Sequence, residues 1–267
     1  INLEDVSVIG ARAFKDCVKL DNIDLSNIYA LGERAFEGCT SLSSVDVSTL
    51  RNSGKEVFKD CTALKTVKLS KDTKLSYAMF VNSGIENLTL AVDRIPEFAF
   101  ANCSNLKTVK IENDLIYVGE GAFSGDTSLT KVEFLGKLEW MYSQAFYNCS
   151  SLEEVTLPNS SVKYGDYIFY QCSKLKTIKL GKESYIESLG GSIFEDTIVD
   201  TFIVDEQSPY YKASSDGSLL LSKDGKELVL ASTNFDYPDV LVLDYDVIAQ
   251  GAFSGVKTLK AIEFTKS

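Results

Sequence analysis

Histidine is absent from the whole chain of 267 residues. With it go Ser/His and Cys/His catalytic pairs, histidine-bearing zinc sites and imidazole pH switches. Any catalysis would fall to carboxylates, lysine or tyrosine. No stretch approaches the ~20 apolar residues needed to cross a bilayer. The opening Ile1-Asn2-Leu3-Glu4-Asp5 is polar and acidic, unlike a signal peptide. Positive charge is scarce: 27 Lys and Arg stand against 38 Asp and Glu, a net charge of −11 that repels a phosphate backbone or an anionic lipid surface. There is no C-x-x-C zinc spacing and no D-x-D-x-D-G calcium loop. Gly119-Glu120-Gly121 lacks the third glycine of a dinucleotide fingerprint. These absences predict a chain that is not an enzyme, carries no cofactor or metal, binds no nucleic acid and inserts in no membrane.

What is present is a repeat, and phenylalanine sets its phase. Phe14, Phe36, Phe58, Phe80, Phe100, Phe123, Phe146, Phe169, Phe194 and Phe253 follow one another at 22, 22, 22, 20, 23, 23, 23, 25 and 59 residues. Five residues before each stands an apolar residue (Ile9, Leu31, Leu75, Ile95, Val118, Met141, Leu189, Ile248), with Ser53 and Tyr164 departing. Glycine often comes next, as at Gly10, Gly32, Gly54, Gly119, Gly165 and Gly190. Six after the Phe comes leucine in eight repeats, then pairs such as Val45/Val47, Val109/Ile111 and Ile178/Leu180. L-x-x-V-x-L describes a short strand with alternate residues facing in, and the glycine marks a corner. One such coil cannot bury its own apolar face, so stability has to come from stacking on its neighbours. Each coil brings about six apolar side chains at ~1.5–3 kcal/mol apiece before chain entropy is subtracted.

The frame in Leu31-Gly32-Glu33-Arg34-Ala35-Phe36-Glu37-Gly38-Cys39-Thr40-Ser41-Leu42 resembles the BspA-like, Treponema-type leucine-rich repeat, and the resemblance spans nearly the whole chain. It implies a mainly β repeat solenoid: a right-handed superhelix with a parallel sheet on one face and short strands or turns on the other. It also implies a cell-surface or secreted protein that binds a protein or glycan ligand. The expected organisation is one solenoid domain, with repeats over 1–204, an inserted hairpin segment over 205–246 that continues the sheet, and a final repeat over 247–267. Leu3 aligns with the last strand position of a repeat, so the chain is expected to be a piece of a longer exported protein, and a monomer.

All six cysteines (Cys17, Cys39, Cys61, Cys103, Cys149 and Cys172) lie three residues after a repeat Phe. Other coils put Ser83, Asp126, Thr197 and Val256 there. Stacked coils bring equivalent Cα atoms to roughly 4.8 Å but leave their Cβ vectors parallel, a poor disulfide geometry. Cys103, between Ser83 and Asp126, has no cysteine neighbour. The expectation is a column of small buried thiols, all reduced. The S-x-x-K matches that start at Ser104, Ser128 and Ser173 share one repeat phase, so they read as turns, not as three nucleophiles. Asn102 and Asn148 open N-glycosylation sequons two residues after a Phe, where a turn explains the asparagine.

Between Phe194 and Phe253 more than thirty residues are inserted. Leu219–Leu221 and Leu228–Leu230 flank Asp224-Gly225, a hairpin signal. Residues 195–246 hold twelve Asp or Glu against three Lys. That charge reads as a solvated face, with a docking face for a basic partner as the alternative. The outward column ten residues after each Phe (Asp24, Asp46, Lys68, Lys110, Glu133, Thr156, Lys179) is mixed in charge and poor in aromatics. Aromatics crowd the turns instead, at Trp140, Tyr142, Tyr147, Tyr164, Tyr167 and Tyr170, and these six are the candidate binding residues. Tyr147 and Tyr170 share a phase and are expected to stack. Recognition at a surface is the function expected; a structural spacer is the alternative.

Overall fold

The computed structural model describes residues 3–265. It is a β-solenoid of about 11 turns with parallel sheets, and no helix occurs among the described residues. Each turn gives at most two short strands. Corner strands precede the repeat Phe and fall into two sheets. The first is β1 (Val8–Ile9), β2 (Ala30–Leu31) and β4 (Asn52–Ser53). The second is β7 (Arg94–Ile95), β9 (Leu115–Val118), β11 (Leu138–Met141), β13 (Ser161–Tyr164) and β15 (Tyr185–Ser188). The V-x-L strands make the opposite face: β3 (Ser44–Asp46) pairs with β5 (Thr66–Lys68), then β6 (Asn87–Leu90), β8 (Thr108–Ile111), β10 (Lys131–Phe134), β12 (Glu154–Thr156), β14 (Thr177–Leu180) and β16 (Thr201–Val204) form six strands in chain order. Both faces break around the coil of Phe80. There Thr73 is buried, its hydroxyl donating to the Val47 carbonyl (3.2 Å) and accepting the Ser70 N–H (2.9 Å) in place of a corner ladder.

The phenylalanine column crosses that break intact. Rings from Phe14 to Phe194 stack coil upon coil, with centroids 5.1–5.7 Å apart and planes within 11°. This is a ring spacing at which aromatic pairs attract beyond simple burial. Two residues before and two after every repeat Phe the backbone is left-handed, from Arg12 and Asp16 (φ 58° each) to Gly251 and Gly255 (φ 72° and 84°). The consequence is directional. In the coils from Phe14 to Phe169 the N–H groups of the residue two before, the Phe itself and the residue two after donate forward to the next coil: Phe36 to Val57 (2.9 Å), Phe80 to Ala99 (2.8 Å), Phe146 to Ile168 (3.0 Å). The corner glycines answer a different need: a Cβ on Gly32, Gly54 or Gly190 would collide with the backbone of the preceding coil.

All six cysteines are free thiols. In Cys39, Cys61, Cys103, Cys149 and Cys172 the sulfur donates to the Phe carbonyl of an earlier coil at 3.1–3.2 Å. The expected buried column needs one correction: Cys17 is exposed, since the first repeat has less stacked over it. Asp126 takes the thiol's place in its own coil and is fully buried. One carboxylate oxygen accepts the Cys103 N–H (2.7 Å), and the other has no partner. Burial pushes this carboxyl well above the usual carboxylate range, with the Cys103 N–H opposing.

The insertion departs from expectation in one respect. β17 (Tyr211–Ala213), β18 (Leu219–Ser222) and β19 (Glu227–Ala231) pair antiparallel about the predicted Asp224-Gly225 turn. They do not extend either repeat sheet. They form a sheet of their own in which β19 runs parallel to β21 (Val247–Ile248), the corner strand of the last repeat. β20 (Leu241–Leu243) pairs with β22 (Ile262–Phe264) beside a second small core around Tyr237, Ala252 and Phe253. β18 is bonded on both sides by hairpin partners, β17 and β19, and the other edge of β19 is taken by β21.

Candidate binding site

The two faces differ in what they leave free. On the V-x-L face, Thr89, Lys110 and Glu133 stand side by side across β6, β8 and β10, as do Thr156, Lys179 and Ile203 across β12, β14 and β16. Its charges answer one another: Lys68 with Asp46 (2.7 Å), Lys110 with Glu112 (2.8 Å), Lys179 with Glu154 (2.6 Å). Such exposed pairs add little stability, but they leave few charges unmatched for a partner.

The corner face is built otherwise. In β9 and β11 the outer two residues point in (Leu115 and Val118, Leu138 and Met141) and the middle two point out. Register then sets Arg94, Tyr117, Trp140 and Lys163 in one row across four strands. The Lys163 ammonium lies over the Trp140 ring, 4.4 Å from its centroid, and also pairs with Glu187 (3.1 Å). That ammonium holds the Glu187 carboxyl below its ordinary range, helped by the Ser161 hydroxyl. Trp140 stacks on Tyr142 (5.9 Å, 13°), and Tyr117 meets Tyr142 edge-on (5.8 Å).

The six aromatic candidates therefore do not form one cluster. Trp140 and Tyr142 belong to the corner face and are exposed. Tyr147, Tyr167 and Tyr170 form a second group on the Phe turns: Tyr147 stacks on Tyr170 as expected (5.3 Å, 12°), and Tyr167 meets Tyr170 edge-on (5.7 Å). The Asp196 carboxylate beside Tyr170 pushes its phenol up. Tyr164 leaves the set. It occupies the inward apolar position five before Phe169, is 6% exposed and packs in the core, where burial raises its phenol.

A third group was not among the candidates. Tyr185, at the start of β15, meets Tyr210 (4.9 Å) and Tyr211 (6.1 Å) from the insertion. The Tyr211 hydroxyl accepts the Ile186 N–H (3.1 Å), a group at the sheet's last strand with no further strand to bond. Burial pushes the Tyr211 phenol up to about 12. Two recesses meet at Tyr210. One, about 860 Å³, lies between β15 and the hairpin and is lined by the three tyrosines with Glu187, Asp224 and Glu227. The other, about 540 Å³, runs back over β9, β11 and β13 past Ile116, Glu139 and Ser161. The signal in the sequence was the Tyr210-Tyr211 pair, which reads as the lead-in to a hairpin; only folding brings it against Tyr185. Among the described residues no cluster of three or more acidic or cysteine groups is placed to hold a metal ion, and no helix is long and apolar enough to cross a membrane.

Comparison with known proteins follows the architecture. The chain is similar to a leucine-rich repeat protein from Bacteroides ovatus (21% identity, TM-score 0.61), covering 97% of this chain and 64% of that one. It is also similar to a leucine-rich repeat protein from Eubacterium ventriosum (21% identity, TM-score 0.52), covering 67% and 47%. The chain thus spans less than two thirds of the length of either. No curated protein sequence matches. The BspA type leucine rich repeat region matches residues 1–104 and 93–213, in six copies. With the phased Phe, the stacked coils and this match in agreement, the chain belongs to the BspA-type leucine-rich repeat family.

Proposed function

We propose that this chain is a non-catalytic recognition module of a cell-surface protein, holding a protein or glycan partner on its corner face. The observation that carries this reading is the grooved, aromatic surface from Trp140 to Tyr210, continuous with two open recesses. Exposed aromatics beside concave surface supply large contact area at low entropic cost, which is where binding energy concentrates. The self-paired charges of the opposite face fit a solvated wall. Surface location rests on the family resemblance.

The test is retention of the chain on immobilised extracellular matrix proteins and on a glycan array. The expected result is saturable binding to at least one ligand that falls tenfold or more in Trp140→Ala or Tyr210→Ala, about the effect of losing one aromatic contact. Binding unaffected by both substitutions, or none to any ligand, would leave a structural spacer as the better description.

A further inference from the structure

Three groups of features lie outside the reading so far: the thiol column, the lone buried Asp126, and the chemistry of the larger recess. The first two are internal to the core. The recess opens to solvent and has a definite chemical character. We propose that it takes the cationic side chains of an extended basic polypeptide, held against the exposed rings of Tyr185 and Tyr210 and faced by Glu187, Asp224 and Glu227.

This deepens the recognition reading and rests on it. Four observations support it. First, the two exposed rings present faces at an angle and not one flat platform: Tyr210 is tilted 51° to Tyr185, which stacks on the buried Tyr211 (14°). A cation is attracted to a ring face from whatever side that face is presented, whereas a sugar ring needs one flat surface. Second, acidic groups line the recess: Glu187, Asp224 and Glu227 stand with Lys223, whose ammonium is turned to the Glu206 carbonyl (3.1 Å), while Lys212 and Lys226 act on Asp224 at its own turn. Glu187 already shares Lys163, and Asp224 caps its own turn through the Ser222 hydroxyl (2.7 Å) and the Lys226 N–H (3.0 Å). Glu227 is half-buried at the head of β19, and no basic side chain pairs with it among the described residues. An arriving cation therefore meets a carboxylate surplus, reinforced by the acidic composition of the whole insertion. A neutral glycan would gain nothing from it.

Third, the same face already holds a cation in this way, with Lys163 over Trp140 and against Glu187. Fourth, the shape suits a chain segment. A recess of about 860 Å³ accommodates several side chains, and through Tyr210 it continues into the second recess across the strands. A peptide laid along this path would place alternate side chains on the acidic floor.

The experiment is fluorescence anisotropy with labelled hexa-arginine, hexa-lysine and maltohexaose on the intact chain. The cationic peptides are expected to bind, more weakly as salt rises. Tyr210→Ala and Glu227→Gln should each weaken them about tenfold, and Tyr210→Phe, which keeps the ring, should not. Asp239→Asn removes one negative charge outside the recess, where Asp239 pairs with Lys260, and should change affinity by less than about twofold. Equal losses in Asp239→Asn and Glu227→Gln would mean unspecific attraction to an acidic protein and overturn the assignment. Absence of peptide binding would do the same. Maltohexaose binding lost in Tyr210→Ala would overturn the cationic assignment while leaving the recognition reading in place.

Discussion

The stack from Phe14 to Phe194 and the segment from Asp205 to Asp246 solve the same burial problem in different ways. In the stack every coil presents the same backbone to the next, so one Phe column, one set of forward hydrogen bonds and one thiol position recur. Repetition buries the Phe column and its apolar neighbours in one continuous core. In the insertion an antiparallel hairpin satisfies its own strand edges, and the coil-to-coil match is lost. Phe253 joins a separate small core instead of the ring column. Where two solutions meet, at β15, neither fits the other, and the remaining space is the larger recess. Regularity makes the scaffold; its interruption makes the concave surface.

The strongest way to break this comparison is to open the column at its centre. Phe123→Ala removes a fully buried ring stacked on both sides and should cost about 3–5 kcal/mol. Phe253→Ala, on a half-buried ring outside the column, should cost less than half as much. Urea unfolding of both variants checks the difference, and equal losses would mean that the last repeat is as tightly coupled as the stack.

Asp126 sharpens the comparison next, since one of its carboxylate oxygens is buried in the regular core without a partner. Its folded-state pKa is raised above that of the unfolded chain, so its carboxyl favours the fold fully below about pH 4. That contribution is lost as pH rises through the raised folded value. Asp126→Asn keeps the shape and an acceptor for the Cys103 N–H without the charge. At pH 7 it should stabilise the chain by about 1–3 kcal/mol and flatten the decline from acid to neutral pH. Thermal melts across that range measure both; a variant less stable than the parent at pH 7 would contradict the account.

The smallest expected effect concerns the left-handed residues. Gln144 (φ 60°) and Gly251 (φ 72°) hold the same phase, two before Phe146 and Phe253. A side chain there costs about 1–2 kcal/mol, and glycine's extra unfolded-state freedom offsets roughly half of that. Gln144→Gly should therefore raise stability by about 0.5–1 kcal/mol and Gly251→Ala lower it by a similar amount. Denaturant midpoints of the two variants should move in opposite directions.

Much of this was legible in the residues themselves. The Phe spacing gave the phase of the coils. The cysteine phase gave a buried thiol column in all but Cys17. The left-handed residue after each Phe was half-visible, because that position holds Asp, Asn or Gly in every repeat except that of Phe169, where it is Gln171. The one before each Phe was not: Arg34, Ala78, Phe98 and Tyr167 have side chains that carry no such signal, and there the forward hydrogen bonds impose the conformation. The candidate surface was read only in part. Trp140 and Tyr142 stand where exposed aromatics were expected, but Tyr164 lies in an inward position that the repeat frame itself assigns to the core.

Sequence alone thus determined the repeat, its phase, the inward set and the acidic bias, because each is a property of one coil and its period. Tertiary structure alone decided which coils meet across the interruption. It brought Tyr185 to Tyr210 and Tyr211, left Glu227 facing them, and turned an acidic segment that reads as solvating into one wall of a recess. The physical reason is that period-based inference holds only while each coil's neighbour is its copy, and after β15 the chain turns into an antiparallel hairpin that pairs in a sheet of its own.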